Sequence, residues 1–149
     1  MRLIDRIARA AVERGLMRGS TALIETTGRK SGEPRVTPIT NGLEGDVFWI
    51  VTEHGRRANY VRNIEVDARV RVKAGRDWRA GTARFVDEDP QARLERIVSL
   101  NSRARTNARI VRRTGTEHLV IRVDLDAAPG KTSGPHEGGP RAQRYGRSR

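Results

Sequence analysis

The stretch Thr21-Ala22-Leu23-Ile24-Glu25-Thr26-Thr27-Gly28-Arg29-Lys30-Ser31-Gly32-Glu33-Pro34-Arg35-Val36-Thr37-Pro38-Ile39-Thr40 decides the fold. Residues 22–27 have strand composition, residues 28–34 carry two glycines and a proline and read as a turn, and residues 35–40 are strand-like again. The three together predict an antiparallel hairpin with a long connection. Pro38 has no N–H for a ladder, so the second strand belongs at a sheet edge. Downstream, Asn41-Gly42 and Gly45-Asp46 frame another turn before Val47-Phe48-Trp49-Ile50-Val51, an apolar run suited to a buried strand. A short helix is expected over residues 58–66, with strands over 68–74 and 78–86. Asp89-Pro90 looks like an N-cap and first helical residue, opening a longer helix that continues to Arg113. The last strand is expected over 118–123. Consecutive strands joined by tight turns predict a mainly β fold with flanking helices. About six mostly antiparallel strands close into a small barrel, which leaves few exposed edges.

Outward from this region the chain divides simply. Leu3, Ile4, Ile7, Ala8, Ala11 and Val12 recur at helical spacing, so residues 1–19 are expected to hold an amphipathic helix. Residues 20–126 form the barrel domain, and 127–149 are expected to be a flexible tail, rich in glycine, proline and arginine. At 149 residues there is room for one domain. Cysteine is absent, which excludes disulfides and thiolate chemistry. No apolar run approaches the roughly 20 residues of a membrane span, and Asp5, Arg6 and Arg9 interrupt any signal-like segment. A cytoplasmic location is expected, with peripheral membrane contact through the N-terminal helix as the alternative.

Thirty basic residues against 18 acidic ones give a net charge of +12. Such a field attracts anions: nucleic acid, an acidic membrane surface, or a multiply charged small molecule. The local source of that attraction is the hairpin turn. Gly28 and Gly32 let N–H groups converge; Arg29, Lys30 and Arg35 add cations, and Thr27 and Ser31 add hydroxyl donors. That is the equipment of a phosphate or carboxylate site, although the spacing is not that of a Walker A loop. Further along, Glu53-His54-Gly55 leads into the short helix, where Tyr60 and Asn63 share one face and Val61 and Ile64 serve the core. His54 has no partner at metal-ligand spacing, so no metal is expected.

Residues 26–35, Thr-Thr-Gly-Arg-Lys-Ser-Gly-x-Pro-Arg, followed by Pro38, resemble the deazaflavin-dependent nitroreductase family of the flavin/deazaflavin oxidoreductase superfamily. Tyr60-x-x-Asn63-Ile64 ahead of Asp67-Ala68-Arg69-Val70, and Gly115-Thr116 before the last strand, are similar to further family segments. Tyr60 replaces the family's tryptophan and Ala68 its proline, and residues 94–113 lack the tyrosines of nitroimidazole reducers. The resemblance implies a split β-barrel of the FMN-binding, pyridoxamine-oxidase-like kind and the coenzyme F-420, an 8-hydroxy-5-deazaflavin, with FMN as the lesser alternative. It implies that Thr27, Gly28, Arg29, Lys30, Ser31 and Arg35 hold the coenzyme's phosphate and glutamyl tail. Thr37, Pro38 and Ile39 would flank the ring, with Thr52, His54, Gly55, Tyr60 and Asn63 closing the other side. The expected activity is hydride transfer to a small electron-poor acceptor (a quinone, nitro or conjugated compound), with the proton coming from water, Tyr60 or His54. Monomer and homodimer are both open. Two other readings compete: a basic nucleic-acid or membrane-surface module, and a coenzyme carrier that does not turn over. Aromatics at 4% argue against a base-stacking surface, so no specific nucleic acid is expected.

Overall fold

The computed structural model describes Arg6 and residues 19–127. The expected N-terminal helix and C-terminal tail fall outside residues 19–127. Seven strands form one sheet: β1 (Thr21–Thr27), β2 (Pro34–Thr40), β3 (Leu43–Glu44), β4 (Val47–Val51), β5 (Arg69–Lys73), β6 (Trp78–Val86) and β7 (Val120–Leu125). Their order is β2-β1-β5-β6-β7-β4-β3, and each neighbouring pair is antiparallel. The sheet curls into a split barrel. The hairpin holds its register from Thr21 opposite Thr40 to Thr27 opposite Pro34, and β2 with Pro38 is indeed an edge.

The sequence leads one to expect about six strands. The extra one is β3, two residues long and too short to show a period of two. It exists because Gly42 approaches β4 closely: Trp49 N–H donates to Gly42 O at 2.9 Å. A Cβ on Gly42 would meet the Trp49 carbonyl oxygen at 2.0 Å, so only glycine fits.

Alternation along β4 splits the apolar residues between two cores. Phe48 and Ile50 join Ala22, Ile24, Val70, Val72, Ile121 and Val123 on one face, where α1 (Asn59–Val66) packs Tyr60, Val61 and Ile64. Trp49 and Val51 face the other way with Val120, against α2 (Pro90–Leu100) and α3 (Arg105–Thr114). Burying side chains such as Phe48, Ile24 and Leu94 completely stabilises the fold by about 1.5–3 kcal/mol each. Asp89 caps α2 as its sequence implies, accepting from Gln91 N, with Pro90 at the first helical position.

The single helix expected to run to Arg113 is instead two. Asn101 leaves the helical conformation, its side chain accepts from Arg103 N, and its amide donates to Gly19 O at 2.8 Å. A short 3₁₀ turn, Ser102–Ala104, then redirects the chain into α3. Asparagine at a helix start is a strong competitor for continued helix. Among the described residues no helix is long and apolar enough to cross a membrane.

Candidate active site

The β1–β2 turn is held by its own main chain, with Gly28 N–H donating to Glu33 O and Gly32 N–H to Gly28 O, both at 2.8 Å. It is also tied to α1. Asn63, 2% exposed, accepts from Arg29 N (3.1 Å) and Arg29 Nη1 (3.0 Å) through Oδ1 and donates from Nδ2 to the buried Thr26 hydroxyl (3.1 Å). Arg29 Nη2 also reaches Asn59 Oδ1, and Arg35 Nη2 reaches Ser31 Oγ, both at 3.4 Å. Lys30 and Arg35 are exposed. Among the described residues no carboxylate pairs with Arg29, Lys30 or Arg35, although ten ion pairs form elsewhere. The three cations, with Gly28, Ser31, Val36, Thr37, Asn59, Tyr60 and Asn63, line a cleft of about 420 Å³.

A second cavity, of about 500 Å³, adjoins it and shares Thr37, Asn59 and Tyr60. It fills the gap between the two ends of the curled sheet. β2 contributes Thr37, Pro38, Ile39 and Thr40; β4 contributes Trp49, Ile50 and Val51; α2 and α3 supply Leu94, Ile97, Asn107, Ile110 and Val111. The Trp49 main chain turns away from β7, as its bond to Gly42 shows. Antiparallel alternation then points the N–H and C=O of Val51 the same way, into the gap. The cavity therefore has an apolar lining with main-chain hydrogen-bonding groups along one edge and a proline on the other, the surroundings a flat heterocycle with polar rim atoms requires.

Glu53, His54 and Tyr60 bring titratable groups to this cavity. Burial pushes the Tyr60 phenol well above its ordinary value, and the nearby Glu53 carboxylate adds to the shift. Tyr60 is thus a neutral hydroxyl at ordinary pH. His54 lies at the surface, with Nδ1 3.2 Å from Thr116 Oγ1 and Nε2 3.7 Å from Glu53 Oε1. The Thr114 hydroxyl hydrogen-bonds Glu53, and Thr116 N–H donates to Glu53 O at 2.8 Å. The Gly115-Thr116 dipeptide thereby braces the Glu53–His54 pair.

Of the site residues the sequence pointed to, Gly28, Arg29, Lys30, Ser31, Arg35 and Asn63 line the cleft, Pro38, Ile39 and His54 the cavity, and Thr37 and Tyr60 both. Thr27, Thr52 and Gly55 line neither. Thr52 is fully buried, its hydroxyl accepting from Leu119 N (2.8 Å) and donating to Glu117 O (2.9 Å). Gly55 holds φ +53° with the Glu117 carboxylate where a Cβ would lie. Both fasten the chain before α1 to the chain before β7. The cavity wall from α2 and α3 was not foreseen. Its signal was an apolar surface wider than one packing stripe needs: Leu94 and Ile97 on α2, then Ile110 and Val111 side by side on α3.

Residues 2–126 match the model of the F420H(2)-dependent quinone reductase family. The chain belongs to that family. F420H(2)-dependent quinone reductases of two Mycobacterium tuberculosis strains are each 34% identical to it over 85 residues, covering 54% of this chain and 57% of theirs. The match thus spans little more than half the length of these curated relatives. Among solved structures, an F420-H2 dependent reductase aligns at 21% identity and TM-score 0.52 over 70% of this chain and 93% of its own. The heme storage protein HutZ of Vibrio cholerae aligns at 18% identity and TM-score 0.55 over 86% and 93%. At such identities the structural likeness establishes the split-barrel fold, which this family member shares.

Proposed function

We propose that this family member is an oxidoreductase that binds coenzyme F-420 across the cleft and the adjoining cavity and passes reducing equivalents to a quinone-type acceptor. The observation that carries the reading is the joining, at Thr37, Asn59 and Tyr60, of a cleft walled by carboxylate-free cations to a cavity walled by apolar groups and edge main chain. A ligand with an anionic tail and a flat ring matches both halves, so the donor set fits the coenzyme. When bound, the reduced coenzyme supplies a hydride to an electron-poor acceptor.

The protein's part is binding, orientation and proton supply. Arg29, Lys30 and Arg35 receive phosphate and carboxylate oxygens, with Arg29 presented in a fixed pose because Asn63 and Asn59 hold it. Gly28, Ser31, Thr37, Pro38 and Ile39 complete the wall on the β2 side. Thr27 supports that wall by pairing with Pro34, whereas Thr52 and Gly55 only fasten the chain before α1 to the chain before β7. Leu94, Ile97, Ile110 and Val111 exclude water from the acceptor. A quinone that takes up a hydride also needs a proton. His54, in contact with solvent and braced by Glu53 and Thr116, is better placed to supply it than Tyr60, whose raised pKa makes it reluctant to ionise. Tyr60 instead offers a neutral hydroxyl as a hydrogen-bond donor to the bound ligand.

Titration of the purified protein with F-420, followed by the coenzyme's fluorescence, tests the reading. Saturable binding at micromolar protein, and oxidation of the reduced coenzyme on adding a quinone, are expected. Binding of FMN in place of F-420 would move the protein to the flavin branch, and binding without turnover of any acceptor would make it a carrier.

A further inference from the structure

Between Glu95 and Glu117 the chain carries six arginines and no carboxylate. Arg96 pairs with Glu44. The other five, Arg103, Arg105, Arg109, Arg112 and Arg113, are exposed and form no ion pair among the described residues. On α3, Arg105, Arg109 and Arg113 recur at intervals of four and form one ridge, with Arg112 beside it. This arrangement opposes the helix that bears it. Like charges four apart repel, and Arg105 stands at the positive end of the helix, where no acidic residue offsets it. The described residues leave this basic face uncompensated, and an anionic surface would offset it.

The adjacent edge of α3 says what kind of surface provides it. Ile110 is 48% exposed, one strip round from the arginines, and it also lines the mouth of the apolar cavity beside Asn107 and Val111. Going round the helix, the order is arginine ridge, exposed isoleucine, cavity. We propose that α3 docks on an anionic lipid bilayer, with the ridge among phosphate headgroups, Ile110 dipping below them, and the cavity opening against the membrane. A nucleic-acid surface would match the charge but not an exposed aliphatic side chain, and α3 offers no aromatic for stacking: Phe48, Trp49 and Tyr60 are buried, and the exposed Phe85 and half-buried Trp78 belong to β6. The inference rests on the acceptor entering through this cavity: docked so, a hydrophobic acceptor would pass from lipid to protein without crossing water.

The test is co-sedimentation of the full chain, without coenzyme, with vesicles of phosphatidylglycerol and phosphatidylcholine or of phosphatidylcholine alone. The double variant Arg109→Glu/Arg113→Glu is compared with Arg62→Glu/Arg76→Glu, an equal change of charge at exposed sites on α1 and the β5–β6 turn. Partition onto anionic vesicles should fall at least about 25-fold in the α3 variant, at roughly fivefold per arginine lost and before any repulsion by the new glutamates, and far less in the control. Ile110→Ser should abolish the part of the binding that survives high salt. Three results would each overturn the proposal: equal losses in the two double variants, equal binding to neutral vesicles, or wild-type protein left in the supernatant. A duplex DNA bound more tightly than the vesicles, and lost in the same α3 variant, would reassign the ridge to nucleic acid. Because the coenzyme is absent, failure here leaves the fluorescence test of F-420 binding untouched.

Discussion

Replacing Asn63 by alanine isolates what joins the anion-binding turn to the helix beneath it. The amide makes three hydrogen bonds, two accepted from Arg29 and one donated to Thr26, and is 2% exposed. In the alanine variant the Arg29 N–H and the Thr26 hydroxyl lose their partners, at about 1 kcal/mol or somewhat more each. The guanidinium is part-exposed and turns to solvent, so its bond counts for about 1 kcal/mol. The sum is about 3 kcal/mol, a fall in Tm of roughly 6–12 °C for a domain of this size. Asn63→Asp keeps both acceptor contacts and lets the Thr26 hydroxyl donate, so it should lose no more than about 1 kcal/mol. Urea unfolding followed by tryptophan fluorescence measures both. The alanine variant, at a temperature where it is folded, should also bind F-420 at least about tenfold more weakly, since Arg29 is no longer held. A loss below about 1 kcal/mol for alanine, or aspartate as damaging as alanine, would refute the account.

Three further outcomes follow from the same geometry. Thr52→Val keeps the shape but strips the partners from Leu119 N–H and Glu117 C=O. It should destabilise by about 2–4 kcal/mol in urea melts while leaving F-420 affinity in the folded protein unchanged. Lys30→Ala/Arg35→Ala removes two exposed cations, so F-420 affinity by fluorescence titration should fall roughly tenfold per cation, with stability unaltered. The Tyr60 phenol is raised above its ordinary value of 10.0 by burial and by Glu53, so the folded state holds that proton more tightly than the unfolded chain. The associated stability is complete below pH 10 and is lost as pH rises beyond it. Tyr60→Phe should flatten the alkaline limb of a stability–pH curve, and an unchanged limb would contradict the burial of the phenol.

Much of the β1–β2 half was legible because its signals are local. Strand composition, paired glycines and an interior proline lie within twenty consecutive residues, and the Tyr60–Asn63 spacing shows on one helix turn. What escaped is long-range. Asn63 appeared as one wall of a ligand site, whereas its amide spans to Thr26 and Arg29, more than thirty residues away, and no spacing rule reveals that pairing. Thr52 and Gly55 sit beside the site in sequence, yet face Glu117 and Leu119 from the other end of the domain. The α2–α3 wall depended on the break at Asn101. An Asn-Ser pair there signals a cap, but the basic residues on both sides mask it. β3 carries no pattern at all, being created by the approach of Gly42 to β4.

The open side of the barrel raises a hazard that the chain also answers. A curled sheet with two free ends offers unpaired main chain to any passing strand, the usual start of self-association into fibrils. One end is only the two residues of β3, too few to template a neighbour. The other, β2, carries Pro34, Arg35 and Pro38 exposed along its seven residues, so missing donors and a charge interrupt any added ladder. The same interruptions keep β2 from zipping onto β4, so the space between them stays free for a ligand.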